Sequence, residues 1–143
     1  MKNILLIGGS TGIGYELSQK LKEDNNLFIA TRDKEKFNNT NIKTNDLNLN
    51  NEFETDWLPD HIDGFVYLPG TINLRPFKGL KSSVFLEDFK INVMGCVEIL
   101  QKVLPKIQAA KNPSIVMFST VAVKLGMPFH SSVSSSKGAI EGL

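Results

Sequence analysis

Seven residues near the amino terminus, Gly8-Gly9-Ser10-Thr11-Gly12-Ile13-Gly14, have the types and spacing to hold an anion. Glycines admit a tight turn and let backbone N–H groups come close to a pyrophosphate. Immediately before them, Ile4-Leu5-Leu6-Ile7 is a run of four apolar residues that reads as a buried strand. Immediately after, Ile13, Leu17 and Leu21 recur at every fourth position. That spacing predicts a helix whose amino-terminal end faces the anion. The order of strand, glycine loop and helix gives the motif its weight, and the alternative is a glycine-rich turn with no ligand.

Arg32 is a second candidate. It follows the apolar stretch Leu27-Phe28-Ile29-Ala30 in the sequence Thr31-Arg32-Asp33. An acidic side chain at such a strand end would accept from the 2′-hydroxyl of an adenosine ribose and repel a 2′-phosphate. Here Thr31 holds that position, and the Arg32 guanidinium can grip a phosphate with two parallel hydrogen bonds. The pattern favours NADP(H) over NAD(H), with Asp33 next door as the contrary sign. The alternative for Arg32 is a solvated residue opening a helix.

The glycine spacing narrows the comparison. Gly8, Gly12 and Gly14 stand four and then two apart, whereas the common dinucleotide fingerprint sets them two and then three apart. The wider spacing resembles the short-chain dehydrogenase/reductase family, whose loop reads Thr-Gly-x-x-x-Gly-x-Gly; Ile7 stands where that family usually has Thr. The resemblance implies an oxidoreductase that moves hydride between NADP(H) and a carbonyl or enoyl substrate. It gives Ser10, Thr11, Gly12, Ile13 and Gly14 to the cofactor. It also makes Asp46 and Leu47, in Asn45-Asp46-Leu47, the pair that holds and covers the adenine, although Asp46 could equally cap a turn. After the fourth apolar stretch the family has Asn-Asn-Ala-Gly. This chain has Tyr67-Leu68-Pro69-Gly70, keeping only the glycine that lets the backbone pass close to the cofactor.

The remaining candidates are implied by the same family. Asn92 resembles an asparagine that holds a water in a proton relay to a catalytic lysine; an asparagine in a helix wants a specific partner in any case. The family's Ser, Tyr and Lys fall here on Thr120, Val133 and Lys137. Thr120 retains a hydroxyl donor for a substrate oxygen, and the Lys137 ammonium suits the nicotinamide ribose hydroxyls. Val133 has no proton to give. Three readings follow. His130, seven residues before Lys137, supplies the proton, as the enoyl reductase branch carries a tyrosine at that spacing. Or the protein is a silent NADP(H)-binding sensor or subunit. Or His130 is a loop residue before a helix capped by Ser131 or Ser132.

Positioning these groups requires alternating strands and helices. Apolar runs at Ile4–Ile7, Leu27–Ala30, Ile42–Thr44, Gly64–Leu68 and Ser114–Phe118 read as strands. Helices are expected near Ile13–Lys22, Asp33–Phe37, Glu52–Leu58 and Val84–Gln108, with Pro105 ending or kinking the last. This alternation predicts an α/β, Rossmann-like fold, a doubly wound parallel sheet in the order 3-2-1-4-5. Ligands bind beyond the carboxyl ends of such strands, where each motif above falls.

Composition bounds the rest. The 143 residues are expected to form a single dinucleotide-binding domain, 41% hydrophobic and 22% charged. The family continues for two more strands beyond Leu143, so a fragment of a longer chain is expected. A net charge of +1 gives no basic patch for nucleic acid or an anionic membrane. No apolar run is long enough to cross a bilayer or serve as a signal peptide, which makes the cytoplasm the expected compartment. The single cysteine, Cys96, lies in an apolar stretch and reads as core. The expected partners are a small-molecule substrate and further copies of the chain.

Overall fold

The computed structural model describes residues 1–143. Two units make up the chain: Met1–Leu68 with Ile99–Val116, and Pro69–Glu98 with Met117–Leu143. The strands are β1 (Lys2–Ile7), β2 (Asn25–Thr31), β3 (Lys43–Asp46), β4 (Gly64–Tyr67) and β5 (Ser114–Met117). The helices are α1 (Gly12–Leu21), α2 (Ser82–Phe89), α3 (Gly95–Gln108), α4 (Ala122–Leu125) and α5 (Ser131–Gly142).

In the first unit the five strands form one sheet in the order β3-β2-β1-β4-β5. The pairings of β1 with β2, β1 with β4 and β2 with β3 are parallel, so Ile4 stands opposite both Leu27 and Gly64. Leu5, Leu6 and Ile7 are all fully buried, as are Ile29 and Ala30. Consecutive buried residues mean that both faces of β1 and β2 are covered, the condition under which parallel strands read as unbroken apolar runs. Ile99, Val103 and Ile107 give α3 an apolar stripe at four-residue spacing, and all three are buried. The Lys106 ammonium and carbonyl tie this helix to the chain before β4, through Pro59 O and the Ile62 N–H.

Three expectations change. Glu52–Leu58 forms turns, not a helix. Asn48 diverts the backbone just before it, its Oδ1 accepting from the Asn50 N–H, and Pro59 disfavours helical dihedrals at Leu58. Phe53 and Trp57 do approach each other, at 6.4 Å between ring centroids, but within this turned segment. Asp33–Phe37 shortens to a single 3₁₀ turn at Glu35–Phe37. Pro105 lies within the last turn of α3, which ends at Gln108 as expected. The carbonyl left without a donor by the proline belongs to exposed Gln101, where solvent can reach it. Finally, the long helix is interrupted by a π turn at Lys90–Met94, in which the Gly95 N–H reaches back five residues to Lys90 O.

In the second unit α2 packs against α5, and the π turn packs against both. In the serine-rich start of α5 the hydroxyls are satisfied by bonding back along the helix. Ser134 Oγ donates to His130 O and Ser135 Oγ to Ser131 O, each at 2.7 Å. His130 occupies the N-cap position without a side-chain cap. The capping expected of Ser131 or Ser132 is therefore not found, and the buried Ser132 hydroxyl has no partner.

Candidate functional site

The glycine turn of the first unit is shaped by what cannot fit. Gly8 and Gly12 take φ of +83° and +52°, the left-handed region in which a side chain is strained. Gly14 lies against the Gly8 carbonyl, so that any Cβ there would collide with Gly8 O and touch Gly9 Cα at 3.0 Å. The Gly8 N–H donates to Ala30 O at 2.8 Å, which holds the turn to the end of β2. Thr11 is the N-cap of α1 and makes no side-chain cap, leaving the first N–H groups of the helix without a side-chain acceptor. Thr11, Gly12 and Ile13 are exposed, and Ile13 reaches 63%. Ile13 thus faces out beside the turn, whereas Leu17 and Leu21 are half-buried and Gly14 and Ser18 are the buried residues of α1.

The segment after β2 alternates in charge, Arg32, Lys34 and Lys36 with Asp33 and Glu35 between them, and Lys36 lies 3.9 Å from Asp33. Arg32 is exposed at the end of β2, and buried Thr31 accepts from the Asp33 N–H at 3.4 Å. Asp46 pairs with Lys34 at 2.9 Å, with Leu47 buried beside it. One residue escaped the sequence reading. Lys36 donates to Ser10 O at 2.8 Å, placing an ammonium on the glycine turn itself, and it lies over the Tyr15 ring. Nothing local marks Lys36, because its partner is a backbone carbonyl 26 positions away.

The second unit gathers Gly70, Asn92 and Lys137. A Cβ on Gly70 would stand 3.2 Å from Asn92 Oδ1 and 3.6 Å from Lys137 Nζ. Asn92 is completely buried; its Nδ2 donates to Thr71 Oγ1 at 2.9 Å and to Asp88 O at 2.8 Å, while its Oδ1 has no partner. The side chain thereby occupies the Asp88 carbonyl within the helix, which accompanies the wide turn at Lys90–Met94. Lys137, on α5, is 9% exposed. Burial lowers its pKa, and the nearby Cys96 partly offsets that shift. Burial likewise pushes the Cys96 thiol up to about 11, with Lys137 opposing.

The other expected residues of this unit lie around these three. Val133 is buried on α5, four residues before Lys137. Thr120 Oγ1 accepts from the Ala122 N–H at 3.3 Å. His130 Nδ1 lies 2.7 Å from Pro128 O. A carbonyl can only accept, so Nδ1 carries the proton, and Nε2 of the neutral ring is an acceptor. No three His, Cys, Asp or Glu side chains are grouped to hold a metal ion. Two residues here were not singled out from the sequence, Thr71 and the fully buried Asp88.

Comparison with known families settles the class. The family model for short chain dehydrogenases matches residues 2–143. The chain belongs to the short-chain dehydrogenase family. Solved structures of similar fold include a short chain dehydrogenase from Shigella flexneri, at 21% identity and a TM-score of 0.87. Others are yciK, an oxidoreductase from E. coli, at 20% and 0.87, and a Tyr-to-Phe variant of ElxO with NADPH bound, at 24% and 0.84. The alignments cover 99% of this chain but 64%, 66% and 64% of those proteins, respectively. The chain thus spans just under two thirds of the length of these structures. A search of curated proteins by sequence finds no match. No helix is long and apolar enough to cross a membrane.

Proposed function

We propose that this short-chain dehydrogenase is an NADP(H)-dependent oxidoreductase acting on a carbonyl or an activated C=C bond. The observation that carries the reading is the glycine turn, with no room for a side chain at Gly14, no side-chain cap on α1 and a lysine held at its rim. That geometry suits a pyrophosphate: the N–H groups at the start of α1 are donors, and the helix dipole favours the negative charge. Arg32 and Lys36 are the cations available for a 2′-phosphate, and Leu47 is the apolar surface for an adenine. When bound, the nicotinamide supplies or accepts the hydride. Lys137 offers an ammonium donor to hydroxyl groups, its charge less well solvated than in water. Thr120 offers a hydroxyl to orient a substrate oxygen.

A second reading, an NADP(H) binder without turnover, is favoured by Val133. Where the family uses a tyrosine this chain has a buried side chain with no proton to donate. For His130 to serve in its place, the ring must be cationic, since Nδ1–H is committed to Pro128 O. Titration with NADPH, followed by nicotinamide fluorescence, tests both readings at once. Absence of binding at millimolar cofactor ends both. Binding, followed by oxidation with a panel of ketones and enoyl thioesters, separates the enzyme from the sensor.

A further inference from the structure

We propose that Asp88, acting through Thr71, is a positioning residue that fixes the Asn92 amide with its carbonyl oxygen turned toward Gly70 and Lys137. The inference builds on the proposed function, in which Asn92 and Lys137 belong to the working site, and adds what sets their polarity.

The argument starts from a carboxyl group with no solvent. Asp88 is 0% exposed, and an acidic side chain in that position needs donors. Its Oδ1 accepts two, the Thr71 hydroxyl at 2.5 Å and Asn73 Nδ2 at 2.7 Å. A threonine hydroxyl has one proton. With that proton given to Asp88, Thr71 Oγ1 can only accept, and the neighbour at 2.9 Å is Asn92. The Asp88 backbone carbonyl, 2.8 Å from the same nitrogen, is also an acceptor. Both hydrogens of the Asn92 amide are therefore used. Turning the amide over would set its oxygen against two other acceptors, at the loss of two hydrogen bonds in a buried place.

What remains is Asn92 Oδ1, buried and without a partner. It lies on the Gly70 α-carbon side, where Lys137 Nζ also lies. A carbonyl oxygen there is complementary to an ammonium, whereas an NH₂ group would oppose it. The buried carboxylate thus decides which end of Asn92 lies on the Gly70 side, where Lys137 Nζ also lies, without touching the lysine. Asp88 Oδ2 takes no part and has no partner.

Hydrogen exchange of the Asn92 side-chain amide, read by ¹⁵N NMR on the full chain, tests this directly. In the unaltered chain and in Thr71→Ser the amide should exchange slowly. In Thr71→Val, which keeps the shape and removes the acceptor, exchange should be about tenfold faster, as for one lost hydrogen bond. The Lys137 Nζ titration should move down in the valine variant and stay in the serine variant. Equal exchange in the valine variant and the unaltered chain would overturn the proposal, and so would a serine variant that behaves as valine does. If Thr71→Val does not fold, the unaltered chain decides: an Asn92 amide as labile as exposed asparagines refutes the fixed orientation, and a protected one supports it. None of these readouts involves cofactor, so failure to bind NADPH would remove the proposed function and leave this result standing.

Discussion

Gly14 is pressed against the carbonyl oxygen of Gly8, with no space between them for a single methyl group. Gly12, two residues earlier, has open space around its α-carbon but a φ of +52°. The two glycines are thus required for different reasons, one steric and one conformational. Gly12→Ala should cost about 1–2 kcal/mol, the strain of a left-handed residue. Gly14→Ala must move backbone against backbone and should cost more than Gly12→Ala, at or above the roughly 1–3 kcal/mol typical of overpacking. Urea unfolding of both variants checks the order; equal costs would contradict it.

The proposed preference for NADP(H) assigns the 2′-phosphate to Arg32 and Lys36. Arg32→Ala and Lys36→Ala should each weaken NADPH binding by about 1–3 kcal/mol, the range for a charge-assisted contact. NADH, which lacks the phosphate, should lose little with Arg32→Ala. Lys36→Ala should affect NADH somewhat more, because its ammonium also holds Ser10 O on the glycine turn. Fluorescence titrations with both cofactors measure this, and equal losses for Arg32→Ala would make that residue a bystander.

The proton donor can be separated from the rest by three variants. If cationic His130 supplies the proton, His130→Ala should cut turnover about a hundredfold. Lys137→Ala should harm cofactor binding and rate together. Val133→Tyr should create turnover only if the present chain is silent. Full activity in His130→Ala would leave a water ordered by Thr120, Asn92 and Lys137 as the donor.

Lys137 and Cys96 give opposite slopes of stability against pH. Burial raises the thiol from 9.0 to about 11, so the unfolded chain loses that proton first. Stability from this group is whole below pH 9 and is lost between 9 and about 11. Lys137 is shifted below its ordinary 10.5, so the unfolded chain keeps that proton longer. Its penalty is constant at low pH and fades as pH climbs through the lowered value toward 10.5. Lys137→Met should therefore raise the melting temperature at neutral pH, by an amount that shrinks toward pH 10.5. Cys96→Ala should remove part of the alkaline loss. Urea melts from pH 7 to 11 test both signs.

The glycine turn, its strand and its helix could be read from the sequence because each is a local pattern: β-branched run, glycines, four-residue apolar spacing. The order of the sheet followed from handedness. Asp88 could not be read, since a carboxylate within Leu86-Glu87-Asp88-Phe89 looks like a solvated face and its donors, Thr71 and Asn73, lie 17 and 15 positions away. Lys36 was hidden for the same reason. The turns at Glu52–Leu58 were missed because Phe53 and Trp57 imitate helical spacing while Asn48 and Pro59 govern the backbone.

The wide turn at Lys90–Met94 has a consequence for chain length. It holds one residue more than a regular α-turn would, so the helix already stores a surplus position at that point. Losing a residue there would tighten the turn to ordinary α geometry and leave the downstream backbone bonds able to close. The same loss within α3 would rotate Val103 and Ile107 by about 100° relative to the residues before them, turning a buried stripe toward water. A one-residue deletion in this helix is thus accommodated at the wide turn and disruptive within α3. That turn is also where Asn92 sits, so a shortened helix would fold while giving up the side chain that faces Lys137.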